Sequence, residues 1–238
     1  MSRTSAFSKG IKAGIPIALG YLAVSFTFGV TAVSYGLSVW QSVLISLTNV
    51  TSAGQFAGIG IIAASGSYAE LILTEFIINL RYSLMSFSLS QKLSRKESPL
   101  LRYAVAFGVT DEIFAVSAAE QGYVSAFFNF GAMAVAIPGW VLGTLGGAIL
   151  GNLLPAFIVS ALSVAIYAMF IAIIIPPAKH SRPILLAIIG AMALSCCFRY
   201  IPVLAKVSSG FAIIITTVTV ASAAAILAPV KEESTDGE

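Results

Sequence analysis

The sequence contains few charged residues and almost none of the side chains that bind metals. Only 10% of its 238 residues are Asp, Glu, Lys or Arg, whereas a soluble domain has about 25%. One histidine and two cysteines exclude a metal site built from clustered His and Cys. The net charge of +3 is small and no basic cluster alternates with aromatic residues, so nucleic-acid binding is not expected. Motifs of hydrolases, zinc proteases and phosphate loops are missing, and neither an enzyme nor a bound cofactor is expected.

Apolar residues dominate the chain instead. They make up 58% of it, and the mean hydropathy is +0.96. A soluble protein of this length has too little interior to bury them, which predicts an integral protein of the lipid bilayer. A spanning helix needs roughly 20 apolar residues, and eight apolar segments approach or exceed that length: 15–36, 41–64, 69–90, 103–118, 124–150, 155–175, 183–200 and 207–228. They are too continuous for the strands of a membrane barrel, so the predicted fold class is an all-α polytopic membrane protein.

The distribution of Lys and Arg predicts the topology, because cytoplasmic loops hold an excess of basic residues. With eight spans, the basic residues of the loops and termini divide six to six. If segment 41–64 enters and leaves on one side, the division is nine to three, and if segment 103–118 does so too, it is ten to two. The sequence therefore predicts six or seven spanning helices with one or two broken or re-entrant segments.

Three parts of the chain follow from this topology. Residues 1–14 are expected to form a cytoplasmic N-terminal segment, residues 15–228 the transmembrane bundle, and residues 231–238 a polar C-terminal tail. Segment 41–64 is rich in Ser, Thr, Asn, Gln and Gly, which favours a broken backbone inside the protein. The alternative is an ordinary helix that packs through Gly54 and Gly58. A polar, broken segment followed by a long helix occurs twice, at 41–90 and 103–150, and an internal repeat is a hypothesis.

Four charged residues lie inside apolar segments: Glu75, Arg81, Asp111 and Glu112. Each costs about 2.5–3.5 kcal/mol at the bilayer centre on insertion scales. Arg81 therefore requires a carboxylate, a water-filled cavity or an anionic ligand, and the two acids of segment 103–118 are its natural partners. The alternative is a structural ion pair that holds two segments together. Adjacent helical residues point about 100° apart, so Asp111 and Glu112 are not expected to face one partner within a regular helix.

Two helical patterns complete the candidate features. One face of segment 69–90 carries a polar stripe, which indicates either a cavity lining or hydrogen bonding between helices: Glu75, Asn79, Ser83, Ser86 and Ser90. Segment 124–150 and its end carry a glycine row, which predicts close helix packing within the chain or with another chain: Gly139, Gly143, Gly147 and Gly151.

Several stretches resemble one known family. They are 14–21 with 26–29, 52–57 (Ser-Ala-Gly-Gln-Phe-Ala), and 79–85 (Asn-Leu-Arg-Tyr-Ser-Leu-Met) followed by 110–112 (Thr-Asp-Glu). In these stretches the sequence resembles the AzlC family of branched-chain amino-acid permeases, which includes YgaZ-type exporters. The resemblance implies export of leucine, isoleucine, valine or methionine across the inner (plasma) membrane. It also implies a partner, a small AzlD-type membrane subunit.

The candidate substrate-binding and coupling residues are polar groups at membrane depth: Asn49, Gln55, Glu75, Asn79, Arg81, Asp111 and Glu112. An amino acid presents a carboxylate, which Arg81 or the start of a half-helix near Gly54 is able to receive. Its ammonium group, or a coupling proton, then belongs to Asp111, Glu112 or Glu75. The alternative function is a non-transporting membrane subunit that scaffolds or regulates a partner complex.

Overall fold

The computed structural model describes residues 2–94, 97–155 and 181–228, with the isolated positions 157, 164, 171, 174, 175, 178 and 179. Within these residues lie nine α-helices: α1 (Arg3–Ser34), α2 (Val39–Thr48), α3 (Ala53–Ala63), α4 (Tyr68–Lys92), α5 (Pro99–Phe107), α6 (Asp111–Ala118), α7 (Ala126–Leu150), α8 (Arg182–Tyr200) and α9 (Ser209–Leu227). Of these, α1, α7, α8 and α9 are long and apolar enough to cross a membrane. The prediction of an all-α, multi-pass membrane protein is confirmed. Most of the predicted segment 155–175, and all of the tail 231–238, lie outside the described residues.

Helix α1 begins at Arg3, well before the predicted start at residue 15. The Ser2 hydroxyl accepts a hydrogen bond from the Ser5 N–H and caps the helix. Ala6 is buried, and the guanidinium of Arg3 lies 5.1 Å from the ring centre of Phe127. Helix α1 thus continues for 12 residues before the apolar run, because its packing against α7 also extends that far.

Helices α1 and α7 run parallel and touch along their length. A Cβ atom on Gly10 would lie 2.0 Å from the carbonyl oxygen of Phe128, and one on Gly147 would lie 1.9 Å from that of Phe26. Only glycine allows two backbones to approach so closely. The glycine row faces α1 at every position, where the closest residues are Ala18, Ser25, Phe26 and Val30.

Helix α4 runs in the opposite direction to α1 and α7. At its end, the Ser94 N–H donates to the Val124 carbonyl, and the Val124 N–H donates to the Lys92 carbonyl, both at 2.9 Å. Leu89 is buried in one cluster with Ala126, the first residue of α7. We call this the lower end of the bundle, and the end where α4 begins the upper end.

The first broken segment is a hairpin that starts and finishes at the upper end. Ile59 of α3 forms a buried cluster with Phe28 and Ala32 near the end of α1, and Ile45 of α2 packs against this cluster. Between them, residues 49–52 leave the helical conformation. Val50 in this break reaches the middle of α1 and α7, where it packs against the apolar cluster that contains Tyr21. The break predicted in segment 41–64 is therefore present.

The second broken segment is a hairpin from the lower end. Arg102 of α5 donates to the Ser90 carbonyl near the end of α4 (2.5 Å), and Lys92 donates to the carbonyl of Ala118 at the end of α6. The break at 108–110 ends at Thr110, whose hydroxyl lies 2.6 Å from the Tyr21 hydroxyl in the middle of α1. The two hairpins thus approach from opposite ends, and their breaks meet at the same level.

The helix boundaries of the first hairpin and α4 recur in the second hairpin and α7 at a constant distance along the sequence. Helices α4 and α7 each have 25 residues, and their N-caps Ser67 and Ser125 are 58 residues apart. The N-caps of α3 and α6, Ser52 and Thr110, are also 58 residues apart.

Helix α9 joins the bundle at the upper end of α4. The Ser208 hydroxyl donates to Oε1 of Glu70, which is 6% exposed. A Cβ atom on Gly210 would lie 2.6 Å from the same oxygen, so α9 begins directly against this carboxylate. Helix α8 packs on α9 and has no buried residue.

Candidate functional site

Helix α4 places Arg81 beside the start of α6. Its Nη1 lies 3.0 Å from Oδ2 of Asp111, and the two side chains are 38% and 25% exposed. Its Nη2 donates to the Tyr82 hydroxyl at 3.2 Å, and the guanidinium lies 4.9 Å from the centre of the Tyr82 ring. Both charges are partly open, so an anion or a cation is able to reach the pair and compete for either partner.

Glu112 points to α1 rather than to Arg81. The Tyr21 hydroxyl lies 2.6 Å from Oε2 of Glu112 and 2.6 Å from Oγ1 of Thr110. Asp111 and Glu112 are the first two residues of α6. Their side chains diverge because adjacent helical residues point about 100° apart. Both acids lie at the positive end of the helix dipole, which stabilises carboxylates.

Gln55 belongs to a buried polar network that joins α2, α3 and α7. Its Oε1 accepts a hydrogen bond from Trp140 Nε1, and its Nε2 donates to Ser46 Oγ, both at 2.9 Å. Ser46 Oγ lies 2.7 Å from Thr144 Oγ1. The Trp140 ring meets Tyr21 edge-on at 5.2 Å. Because Gln55 is 1% exposed and its side chain is satisfied, it holds the first hairpin in place rather than presenting a free polar group.

Glu75 lies in a cradle formed by two glycines of α3. A Cβ atom on Gly54 would lie 2.7 Å from Oε2 of Glu75, and one on Gly58 would lie 2.8 Å from Oε1. Asn79 donates to Oε2 at 2.8 Å, and the Asn49 side chain also interacts with the carboxylate. The two glycines therefore allow α3 to pack directly against the half-buried carboxylate of Glu75 on α4.

Three polar atoms near the two breaks are buried without a hydrogen-bond partner among the described residues: Ser52 Oγ, Asn79 Oδ1 and Arg81 Nε. Ser52 also has a positive φ of 41°, and its side chain does not cap α3. Buried polar atoms are normally satisfied, and strained backbone concentrates at functional sites. Open hydrogen-bonding capacity at this level of the bundle is suited to a bound ligand.

The seven candidates form three groups. On one side of α4, Arg81 contacts Asp111, and the neighbouring Glu112 points to α1. On the other side of α4, Glu75 interacts with Asn79 and Asn49. Gln55 forms the third group, in its own network with Trp140. The sequence did not point to Tyr21 or Trp140, which together connect Glu112 to Gln55. Tyr21 lies in the stretch 14–21 that carries the family resemblance, and this signal marks it. Trp140 is one of only two tryptophans and lies among the glycines of α7.

The comparison with protein families matches the part of the chain that builds this site. The model of the AzlC protein family covers residues 16–154, which is more than half of the chain. The chain belongs to the AzlC family. AzlC proteins form a transporter family for branched-chain amino acids and not an enzyme family, and all seven candidate residues lie within the matched range.

Similar AzlC relatives come from archaea and bacteria. An uncharacterized membrane protein of Archaeoglobus fulgidus is 34% identical over 82% of this chain and 86% of its own length. The inner membrane protein YgaZ of Escherichia coli K12 is 29% identical over 80% of this chain and 81% of its own length. An uncharacterized membrane protein of Helicobacter pylori is 27% identical over 62% of this chain and 65% of its own length. No solved structure matches the chain.

Proposed function

We propose that the chain is the large subunit of a two-component exporter for branched-chain or other aliphatic amino acids: leucine, isoleucine, valine and methionine. The observation that carries the proposal is the Arg81–Asp111 pair, which stands partly exposed where two helix breaks meet in an AzlC protein. Intramembrane charges are expensive and mark substrate or ion pathways. Broken helices at the bilayer midplane form the substrate sites of many transporters.

The proposed topology has six spans and two re-entrant hairpins. The spans are α1, α4, α7, α8 and α9, together with segment 155–175, which rests on the sequence alone. Parallel α1 and α7 argue against seven spans with one re-entrant segment, because those two helices would then run in opposite directions. Each hairpin starts and finishes at the same end of the bundle and so does not cross the membrane, which argues against eight spans. The ten-to-two division of basic residues supports an inner-membrane protein with its lower end, and hence its N-terminus, in the cytoplasm.

The hairpins and their following helices are proposed to be inverted repeats. Their boundaries share the 58-residue spacing, while α4 and α7 run in opposite directions. The same spacing relates Tyr82 of α4 to Trp140 of α7. Tyr82 accepts a hydrogen bond from Arg81, which pairs with Asp111 of the second hairpin, and Trp140 bonds to Gln55 of the first. Such crossed contacts are expected of repeats related by a two-fold axis in the membrane plane.

The polar groups suggest a division of roles. Arg81 receives the substrate carboxylate, and Asp111 holds the guanidinium in place. The carboxylate and the ammonium group of an amino acid share one carbon atom, so Asp111, the acid beside Arg81, also receives the ammonium group. Glu75, which lies among amide groups and away from Arg81, lines the site on the side of the first hairpin. Glu112, which interacts with Tyr21 rather than with a cation, carries the coupling proton. A small AzlD-type subunit completes the exporter.

A scaffold subunit is the alternative function, and the structure gives it little support. The glycine row would favour it as a surface for another chain, but that row packs against α1 of the same chain. A scaffold also has no need for four intramembrane charges, each of which costs free energy to insert.

Counterflow in proteoliposomes tests the function. We expect the chain, reconstituted with its small partner, to take up labelled leucine or methionine into vesicles preloaded with the unlabelled amino acid. Vesicles that hold the partner alone provide the control. The proposal fails if neither substrate exchanges above that control with the complete pair, and retained binding of the partner would then support a scaffold.

A further inference from the structure

A cleft of about 600 Å³ lies between α4 and α5 in the lower half of the bundle. One wall is a column of hydroxyl groups on α4, formed by Ser83, Ser86 and Ser90. This column continues the polar stripe that begins with Glu75 and Asn79 in the upper half. The volume lies within the roughly 300–1,000 Å³ of small-molecule sites. The lower part of the stripe therefore lines a space and not a contact between helices.

The facing wall of the cleft is apolar. Tyr103 and Ala106 of α5 line it together with Val105 and with Val109 just after α5. Val105 and Val109 are buried in the cluster that joins α4 and α5 to α7, whereas Tyr103 and Ala106 are exposed. A zwitterionic amino acid with an aliphatic side chain has one charged face and one apolar face. A cleft with one hydroxyl wall and one apolar wall is complementary to both.

The top of the cleft reaches the ion pair. Tyr82 lines the cleft, and its hydroxyl accepts the hydrogen bond from Arg81 Nη2. Val109, also in the lining, comes directly before the Thr110 cap and Asp111. A molecule at the top of the cleft therefore lies next to the residues that hold the Arg81–Asp111 pair.

The lower end of the cleft carries a fixed cation. The Arg102 guanidinium donates to the Ser90 carbonyl (2.5 Å), the Ser90 hydroxyl (3.1 Å) and the Ser94 carbonyl (2.9 Å). These bonds tie α5 to the end of α4 and hold a positive charge in the lining of the cleft. A fixed positive charge attracts the carboxylate of an approaching amino acid.

We propose that this cleft is the cytoplasmic vestibule of the transporter, through which an aliphatic amino acid reaches Arg81 and Asp111. The serine column binds its charged head group, and the facing wall of α5, formed by Tyr103 and Ala106 with Val105 and Val109, receives its side chain. The inference rests on the proposed function, and it adds the path and the residues that select an amphipathic substrate.

Cysteine accessibility tests the vestibule. The parent has Cys196 and Cys197 replaced by serine, and Ser86→Cys introduces one thiol into the cleft. Leu84→Cys is the matched control, because residue 84 is 68% exposed on α4 and points about 200° away from residue 86. Both variants are treated with a charged, membrane-impermeant methanethiosulfonate reagent in inside-out and right-side-out vesicles, with and without leucine. Ser90→Cys repeats the test if Ser86→Cys does not fold.

We expect the reagent to modify Ser86→Cys from the cytoplasmic side only, at least tenfold faster than it modifies Leu84→Cys. Leucine should slow this modification, and the modified protein should lose counterflow. Equal rates for the two variants would show that lipid or protein fills the cleft and would overturn the vestibule. Modification that leaves counterflow intact would also overturn it. If the unmodified parent shows no counterflow, the proposed function fails, while leucine protection of Ser86→Cys still decides whether the cleft binds the amino acid.

Discussion

Gly58 of α3 leaves the space that the Glu75 carboxylate of α4 occupies. A Cβ atom on Gly58 would lie 2.8 Å from Oε1 of Glu75, whereas one on Gly60 would meet no atom within 4 Å. The same helix thus offers one glycine that is required beside an intramembrane acid and one that is not. This difference separates the role of the cradle from the effect of glycine on helix stability.

We expect Gly58→Ala to lower leucine counterflow roughly tenfold, equivalent to about 1.4 kcal/mol, while the protein still folds. The carboxylate is the end of a flexible side chain, so it moves away from Asn79 and no backbone is displaced. Gly60→Ala should keep full transport and stabilise α3, since alanine favours a helix by about 1 kcal/mol over glycine. Equal transport in the two variants would remove Glu75 from the substrate site.

Arg81→Ala should abolish counterflow, because it removes the anchor for the substrate carboxylate and leaves Asp111 without its cation. Arg81→Lys should restore little, since an ammonium group cannot make a planar two-point contact. Protein level and counterflow are measured together. The exchanged pair Arg81→Asp with Asp111→Arg then separates the roles: recovered protein level without transport supports a substrate site, and recovered transport supports a purely structural pair.

Glu112→Gln should preserve leucine exchange and remove the dependence of net efflux on an imposed pH gradient. Glutamine imitates a permanently protonated acid and still accepts a hydrogen bond from Tyr21. Tyr21→Phe is the companion variant, because it removes the hydroxyl at 2.6 Å and keeps the ring against Trp140. We expect it to weaken pH coupling while exchange continues. Wild-type efflux that ignores a pH gradient would rule out the proton hypothesis.

Two N-cap serines form a matched pair for topology. Ser67 caps α4 at the upper end and Ser98 caps α5 at the lower end, and both are exposed. In a parent without Cys196 and Cys197, Ser67→Cys should react with an impermeant thiol reagent in intact cells. Ser98→Cys should react only after the membrane is opened. Labelling of Ser98→Cys from outside would contradict the re-entrant topology of the first hairpin.

Replacing the neighbouring residues Gly146 and Gly147 by alanine should affect the stability of the protein very differently. A Cβ atom on Gly147 would lie 1.9 Å from the Phe26 carbonyl oxygen, and one on Gly146 would lie 3.4 Å from the Phe26 ring, an ordinary contact. Gly147→Ala should therefore destabilise the detergent-solubilised protein by about 1–3 kcal/mol, typical of overpacking, whereas Gly146→Ala should leave its melting temperature nearly unchanged. A stable Gly147→Ala variant would contradict the contact between α1 and α7.

Local sequence properties were sufficient for the membrane class and for most helix positions. Hydropathy, length and capping act over one segment at a time, so α4, α7, α8 and α9 lie close to their predicted bounds. The break in α2–α3 was also readable, because Ser, Thr, Asn and Gly cluster there. The start of α1 could not be read from the sequence, because its first turns pack against α7. A contact with a distant helix is not visible in the local sequence.

The sequence by itself determined that Arg81 needs a partner, since an isolated cation at membrane depth costs too much free energy. Only the tertiary structure decided that Asp111 pairs with it and that Glu112 pairs with Tyr21. It also decided that Gln55 is held by Trp140, 85 residues away, and that the glycine row packs within the chain. Such choices depend on which helix faces meet, and the direction and rotation of a packed helix are set by its neighbours rather than by its own sequence.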